Sequence, residues 1–396
     1  MKLTYPEDAQ AFADEVRAFV REALPDDIRA KVIRHKRLTR EEQTLWQRKL
    51  VEKGWATPAW PKEYGGPGWN AMQRHIYDDV ASEEGAPAAI PFGESMIAPV
   101  LIKVGSPEQK AKYLPRIRTL EYYFCQGFSE PGAGSDLASL KTRAVLDGDE
   151  WVINGQKMWT SLAHEANMMF CLVRTDPDAK AQEGITMLVF PMDIKGITIR
   201  PIITMDGGHS TNEVFFDDVR VPKDSLIGEV NKGWTYAKLL LGHERTTIAR
   251  VGQSKRELRR LKQIASEQMM DGKPLIEHQN FRDKVALVEV ELLSLEITAL
   301  RLISALSAGN VGVEANLLKI KGSEIQQRLT ELLLEAAGPY GLPYDYNKGL
   351  GDTNLPPIGP EEAASFGPNY LSTRVVTIYG GSNEIQRNII AKSLGL

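Results

Sequence analysis

From the N-terminus, apolar positions recur at three- and four-residue intervals. Phe12, Val16, Phe19 and Val20 mark one helix after an acidic first turn, and Pro25 follows its end. A second helix is expected over Arg40–Gly54, with Thr39 as its N-cap. Helical patterns resume over Met72–Glu84, Ile97–Val104 and Pro107–Leu120, the last with Pro107 in its first turn behind Ser106 as cap. Between these, Thr57–Trp69 (TPAWPKEYGGPGW) is so dense in Pro, Gly and aromatic residues that it reads as a shaped loop, not a linker.

The period then changes. Lys141–Leu146 and Glu150–Ile153 alternate, and Asp147-Gly148 and Asn154-Gly155 are hairpin signals. Strand-like runs follow at Met168–Arg174, Ile185–Phe190, Ile197–Pro201 and Val214–Val221. After Gly233 the helical period returns in three long stretches. These are Trp234–Met270, Phe281–Ser307 and Val313–Ala337, the last ended by Gly338-Pro339. The second offers Leu287, Val288, Val290, Leu292, Leu295 and Leu302 for its buried side. Tyr340–Tyr370 reads as a loop, and a last helix should run from near Ser382 to about Ser393. The expected fold is α+β and multidomain. It has an N-terminal helical domain (1–124), a middle antiparallel β domain (125–230) and a C-terminal four-helix-bundle domain (231–396).

One position breaks the pattern in an informative way. Trp234, Ala237, Leu241, Ile248 and Val251 form a single apolar stripe, and at about 100° per residue Glu244 falls in its middle. A carboxylate on a buried face must be paired, protonated or used. Burial would raise its pKa toward the range of a general base. A structural ion pair, or an interaction with the start of the helix, would account for the stripe equally well.

Composition changes this picture little. The 396 residues are 42% hydrophobic and 25% charged, with a net charge of −4, so neither nucleic acid nor an anionic membrane is an expected partner. Cys125 and Cys171 are too few to staple a fold and fit a reducing compartment. No apolar run approaches the ~18 residues of a membrane span, and the N-terminus lacks a basic region followed by an apolar run. A cytoplasmic location is the default expectation. The six His show no metal-site spacing, so no metal is expected. No GxSxG elbow is present, and His243 reads as a helix-surface residue.

Phe128–Thr142 (FSEPGAGSDLASLKT) lies at the boundary between helical and strand periods. It is neither a dinucleotide fingerprint, because position 137 is Leu, nor a phosphate loop, because GK[ST] is missing. It is a compact turn with exposed N–H groups and two hydroxyls, Ser129 and Ser135, suited to a flat polar ligand or a phosphate. It is followed by INGQKMWTS (Ile153–Ser161), NEVFFDDVRVP (Asn212–Pro222), IGEVNKGW (Ile227–Trp234) and IYGGSNEIQRNIIAKSLG (Ile378–Gly395). Five blocks in this order, over a helical start, resemble the acyl-CoA dehydrogenase family along the whole chain. Within it the chain is most similar to the large subunit of bacterial pimeloyl-CoA-dehydrogenase-type pairs.

The resemblance implies FAD and an acyl-CoA thioester bound where the three domains meet. It implies α-proton removal by a Glu, β-hydride transfer to flavin N5, and electron-transfer flavoprotein as acceptor. By motif position, Gln126, Phe128 and Ser129 border the flavin ring, and Trp159 and Ser161 lie on its other side. Ser135 meets a phosphate or the CoA chain, and Ser382 and Glu384 touch the flavin or its ribityl arm. Such chemistry needs donors aimed at the thioester oxygen, while the flavin supplies the redox step.

Two departures from the family pattern matter. Its common base position, after the IY dipeptide, is Gly380 here. A minority of the family carries the Glu on the first long C-terminal helix, before an Arg, and Glu244-Arg245 stands there. Glu244 is therefore the expected base. The N–H of Gly380 becomes a candidate donor to the thioester, and Arg245 a candidate for the CoA phosphates. Second, the Arg and Phe by which homotetrameric members hold the neighbour's FAD fall at Gln268 and Asp271, with the register set by Ile276–Gln279. The family's QIFGG-type loop is LEAAG (Leu334–Gly338). A tetramer is expected, built as α2β2 with a second acyl-CoA-dehydrogenase-like subunit that completes the FAD site. A homo-oligomer is the alternative. In function, the alternatives are an acyl-CoA oxidase on the same fold or a non-catalytic scaffold subunit.

Overall fold

The computed structural model describes residues 7–243, 249–307, 314–343 and 358–396. Helix α1 (Glu7–Ala23) buries Ala13, Val16 and Val20 against Trp46, Ile76 and Val80. A second helix, α2 (Asp26–Ile33), starts directly behind Pro25, so that proline opens a helix as well as ending one. Helix α3 (Arg40–Lys53) begins in a capping box. Thr39 Oγ1 accepts from the Glu42 N–H (3.3 Å), and the Glu42 carboxylate accepts from the Thr39 N–H (2.8 Å). Asn70 with Gln73 opens α4 (Ala71–Glu83) in the same way. A π-turn, Phe92–Ile97, leads into α5 (Ala98–Val104). Ser106 with Gln109 opens α6 (Pro107–Arg118). The Thr57–Trp69 loop is anchored by Trp60, 3% exposed, whose indole N–H donates to the Glu94 carbonyl (2.9 Å).

Seven strands make the middle sheet: β1 (Phe124–Gly127), β2 (Arg143–Asp147), β3 (Glu150–Ser161), β4 (Met168–Arg174), β5 (Ile185–Pro191), β6 (Ile197–Ile203) and β7 (His209–Pro222). Their order is β1-β4-β2-β3-β7-β6, with β5 paired to β4. Pairing is antiparallel except that β1 runs parallel to β4 along its length and β2 meets β4 in parallel at Arg143 and Arg174. The expected Asp147-Gly148 turn forms, closed by the Asp147–Glu150 pair. Asn154-Gly155 does not form a hairpin. It lies inside β3 at a register shift opposite β7, where Asn154 exchanges hydrogen bonds with Asp218 (side chain to side chain and Asp218 N–H to Asn154 Oδ1, both 2.9 Å). Here an Asn-Gly pair serves a bulge instead of a turn.

Along β4, Met168, Phe170 and Leu172 face the helices, while Met169, Cys171 and Val173 face β3 and β7. Both faces of β4 and β5 are buried, which explains their unbroken apolar runs. The helical side of this core includes Leu101 of α5, Ile117 of α6 and Leu240 of α7 (Gly233–His243). The helical start is thereby welded to the sheet.

The single helix expected over Trp234–Met270 is not continuous. α7 is described as far as His243, and α8 (Val251–Glu267) starts after Arg250, whose backbone is left-handed (φ 48°) and interrupts the expected helix. A short hairpin follows, β8 (Met269–Met270) and β9 (Lys273–Pro274), turned at Asp271-Gly272 (φ 50° and 79°). Helices α9 (Gln279–Ser307) and α10 (Glu314–Ala337) pack with α8 around Leu261, Val288, Leu292 and Leu329. Leu287 and Val290, expected on the buried side of α9, are 59% and 62% exposed. The buried stripe instead follows Val285, Val288, Leu292, Leu295, Ala299 and Leu302 at spacings of three and four. The described parts of Tyr340–Tyr370 hold short helical turns, including α11 (Phe366–Ser372). The last helix is α12 (Asn383–Ser393). Among the described residues no helix is long and apolar enough to cross a membrane.

Candidate active site

The loop leaving β1 is fixed by a buried ion pair. Lys157 of β3 is fully buried, and its ammonium donates to Glu130 Oε1 (2.7 Å) and to the Phe128 carbonyl (3.1 Å). Glu130 also accepts from the N–H groups of Lys141 (2.6 Å) and Thr142 (2.9 Å). Burial alone would raise the Glu130 pKa, but Lys157 and the two backbone donors outweigh it and hold the carboxyl below its ordinary value. Glu130 and Ala133 exchange backbone hydrogen bonds, which makes Pro131-Gly132 a tight turn. Both charged residues lie inside the sequence blocks singled out above, but neither had a role assigned to it. A Lys and a Glu 27 positions apart carry no pairing signal until β3 lies beside β1.

This knot brings the expected flavin residues together. The Met158 N–H donates to the Ser129 carbonyl (2.8 Å) instead of to β7. Met158 and Trp159 together stand opposite the single Glu213, between the Lys157–Val214 and Thr160–Asn212 pairs. The bulge puts Trp159 at φ 61° with 54% of its surface exposed. A bulky residue in that conformation costs about 1–3 kcal/mol, and such strain concentrates at ligand sites. Gln126 on β1, Phe128, Ser129, Trp159 and Ser161 thus share one region. Phe128 is 6% exposed and packs edge-on against Phe170 (5.6 Å). Among the described residues, the side chains of Gln126, Ser129 and Ser161 have no hydrogen-bond partner. An exposed indole face beside free amide and hydroxyl groups fits a flat ligand with polar edges, as an isoalloxazine is. Ser135 is exposed beyond the Glu130–Ala133 turn.

His164 and His209, distant in sequence, stack at 3.9 Å beside this region, with Asn212 hydrogen-bonded to both. Desolvation, His209 and then Arg37 pull the His164 pKa down to about 4, so it is neutral near pH 7. The stack ties the end of β3 to β7.

The remaining expected residues sit on the C-terminal helices. Gly380 and Gly381 take left-handed φ values of 65° and 83°, and both carbonyls accept from Gln386 Nε2 (3.2 and 3.3 Å). Ser382 is the N-cap of α12, accepting from the Ile385 N–H (3.4 Å), and Glu384 is exposed in its first turn. The helix is anchored by Asn383, which accepts from buried Lys319 (2.9 Å) and bonds Ser323. Burial pulls the Lys319 ammonium down to about 8, against the opposing charge of Glu384. Among the described residues, no hydrogen bond links this group to the Trp159 region. Glu244 and Arg245 lie outside the described residues, between α7 and α8. Gln268 caps the end of α8, and Asp271 is exposed at the tip of the β8–β9 turn.

Comparison with known proteins agrees along the whole length. The models of the acyl-CoA dehydrogenase N-terminal, middle and C-terminal domains match residues 6–121, 125–219 and 231–395. Acyl-CoA dehydrogenase IpdE1 of Mycobacterium tuberculosis is 38% identical over 361 residues, covering 90% of this chain and 88% of that protein. FadE26 of the same organism is 36% identical, covering 87% and 85%. Among solved structures, the Tcur3481-Tcur3483 steroid acyl-CoA dehydrogenase superposes with a TM-score of 0.85 at 30% identity, covering 100% of this chain and 99% of that one. The ChsE4-ChsE5 complex from M. tuberculosis gives a TM-score of 0.82 at 31% identity, with the same coverage. The chain belongs to the acyl-CoA dehydrogenase family of FAD-binding oxidoreductases that act on CH–CH groups.

Proposed function

We propose that this chain is the catalytic subunit of an acyl-CoA dehydrogenase that desaturates the α,β bond of a CoA thioester, with Glu244 as the α-proton base. The observation that carries this is the Trp159 bulge, a strained exposed indole beside Gln126, Ser129 and Ser161. The domains are taken as 1–124, 125–230 and 231–396. FAD, when bound, supplies the hydride acceptor. The chain's own residues do the rest. Trp159 and Phe128 confine the ring and exclude water, and Ser129 and Ser161 offer hydroxyls to its polar edge. Ser382 and Glu384 meet the flavin or its ribityl arm, Ser135 the CoA chain or a phosphate, and Arg245 the CoA phosphates. The N–H of Gly380 is offered to the thioester oxygen, so charge developing there meets a fixed donor. Glu244 takes the α proton. Gly380 has no side chain to compete for that role, and its left-handed φ disfavours one.

The assembly is proposed as α2β2. Support comes from Gln268 and Asp271, neither of which offers a cation to a neighbour's pyrophosphate, and from the heteromeric naming of the ChsE4-ChsE5 relative. Electrons leave through an electron-transfer flavoprotein. Purification of the chain alone tests the assembly: the proposal expects a flavin-poor protein, and a homotetramer with one tight FAD per chain would refute it. Anaerobic addition of acyl-CoA thioesters to the complete enzyme tests the reaction, through bleaching of the visible flavin band.

A further inference from the structure

The segment that leads into α12 is clamped to α10 on both sides. Before it, Gln327 Nε2 donates to the Arg374 carbonyl (3.1 Å) and to Thr377 Oγ1 (3.3 Å). After it, Lys319 (2.9 Å) and Ser323 (3.1 Å) hold the side chain of Asn383. Between these anchors the chain passes through Gly380 and Gly381, both left-handed. Adjacent glycines are the least restrained backbone a chain can have. Here they are restrained from inside the turn. Gln386, 8% exposed, donates from Nε2 to both of their carbonyls (3.2 and 3.3 Å). Its own N–H donates to the Ser382 carbonyl (2.9 Å). The amide fills the space beside Gly381, where a Cβ would lie 2.6 Å from Gln386 Nε2.

The N–H groups of Ile378 and Tyr379 both donate to the Val375 carbonyl (2.8 and 3.2 Å). The next three, those of Gly380, Gly381 and Ser382, have no acceptor among the described residues. A trans peptide points its N–H away from its C=O. With the carbonyls of Gly380 and Gly381 drawn toward Gln386, the N–H groups of Gly381 and Ser382 face the opposite way. Gly380 is exposed and carries the first open donor of the run. A loose Gly-Gly turn would have to be ordered around each substrate, at a cost in backbone entropy. A turn that is already fixed presents its donor without reorganisation.

We propose that Gln386 is a positioning residue for the thioester: its amide holds the Gly380–Gly381 turn so that the Gly380 N–H is aimed at the thioester oxygen before substrate binds. The proposal rests on the dehydrogenase reading above and deepens it. Gln386 acts through the backbone of the two glycines. An apolar side chain of the same length would keep the packing of α12 but leave both carbonyls without a donor, free to turn toward water. The donor would then have to be re-aimed as charge develops on the oxygen, so the loss falls on the chemical step and not on binding.

The test uses the FAD-loaded enzyme in its native assembly, as wild type, Gln386→Met and Gln386→Asn. The first probes are acetoacetyl-CoA and 3-oxododecanoyl-CoA, whose bound enolates are followed by their own absorption across a pH series. A donor aimed at the thioester oxygen stabilises the enolate, so wild type should lower the ionisation midpoint by about one pH unit or more, a tenfold effect. Gln386→Met should return most of that shift. Gln386→Asn keeps the amide but is one methylene short, and it should fall between the two. With butanoyl-CoA and dodecanoyl-CoA, Gln386→Met should slow flavin bleaching at saturation by about tenfold to a hundredfold, with the half-saturating concentration changed by less than about threefold. Both rates are expressed per bound flavin. An unmoved ionisation midpoint and bleaching rate in Gln386→Met, a loss confined to half-saturation, or loss of flavin from both variants overturns the proposal, the last by assigning Gln386 to the fold alone. Wild type that neither shifts the ionisation of either probe nor bleaches with either saturated thioester overturns the dehydrogenase reading, and the proposal with it.

Discussion

The ammonium of Lys157 stands 2.7 Å from the carboxylate of Glu130, and both residues are buried. Through this pair the loop after β1 and the bulge on β3 become one rigid unit, so the position of Trp159 depends on a contact it does not make. Breaking one side of a buried pair leaves an uncompensated charge, at a cost of about 3–5 kcal/mol. Lys157→Met should therefore lower the thermal midpoint and the FAD content together. Loss of stability with full flavin occupancy would show that the knot does not organise the site.

Trp159 tests the site without the knot. Trp159→Gly removes the ring and relieves the left-handed strain, worth about 1–3 kcal/mol. The variant should be no less stable than wild type in chemical denaturation but should lose FAD readily on dilution. Unchanged flavin retention would remove Trp159 from the site.

Lys255 links α4 to α9. Its ammonium meets Asp79 (2.8 Å), Glu83 (3.7 Å) and Glu296. Burial opposes its charge, but Asp79 and Glu296 outweigh the opposition and raise its pKa. Lys255→Met strands the buried Asp79 and should cost about 3–5 kcal/mol. Lys262→Met, at the exposed Lys262–Glu289 pair, should cost no more than about 1 kcal/mol. Equal effects in denaturant titration would contradict this reading of the junction.

Asp78 and Glu94 give a pH dependence of opposite sign to ordinary ion-paired acids. Their ordinary values of 3.8 and 4.5 rise to about 7 and about 8 in the fold. The folded state therefore holds more protons than the unfolded chain over that window, and stability falls as pH rises from about 4 toward 8. Glu94→Gln should flatten the decline in a series of denaturation curves. A variant with the parent's slope would show that Glu94 is ionised and solvated.

Much of this was legible in the sequence where signals are local. Thr39 and Ser106 announced their caps, and Asp147-Gly148 its turn. Asn154-Gly155 misled because the same pair that favours a tight turn also accommodates a bulge, and the partner Asp218 lies 64 residues away. Periodicity over Trp234–Met270 could not reveal the left-handed Arg250, since apolar spacing reports which face is buried and not the backbone angle of a single residue. Leu287 and Val290 were assigned to the core because hydrophobicity alone does not separate a buried stripe from a face left open for a partner. Site residues such as Trp159 came from the order of motifs, whereas Lys157, Lys319 and Asn383, which hold those motifs in place, needed the fold.

The most direct test is an anaerobic titration of the complete FAD-loaded enzyme with a bleaching acyl-CoA thioester, run in parallel on wild type and Glu244→Gln. The account predicts rapid loss of the visible flavin band in wild type and, in the variant, retained flavin with bleaching slowed by at least about a thousandfold, the scale of losing a general base. Bleaching at the wild-type rate in Glu244→Gln would contradict it.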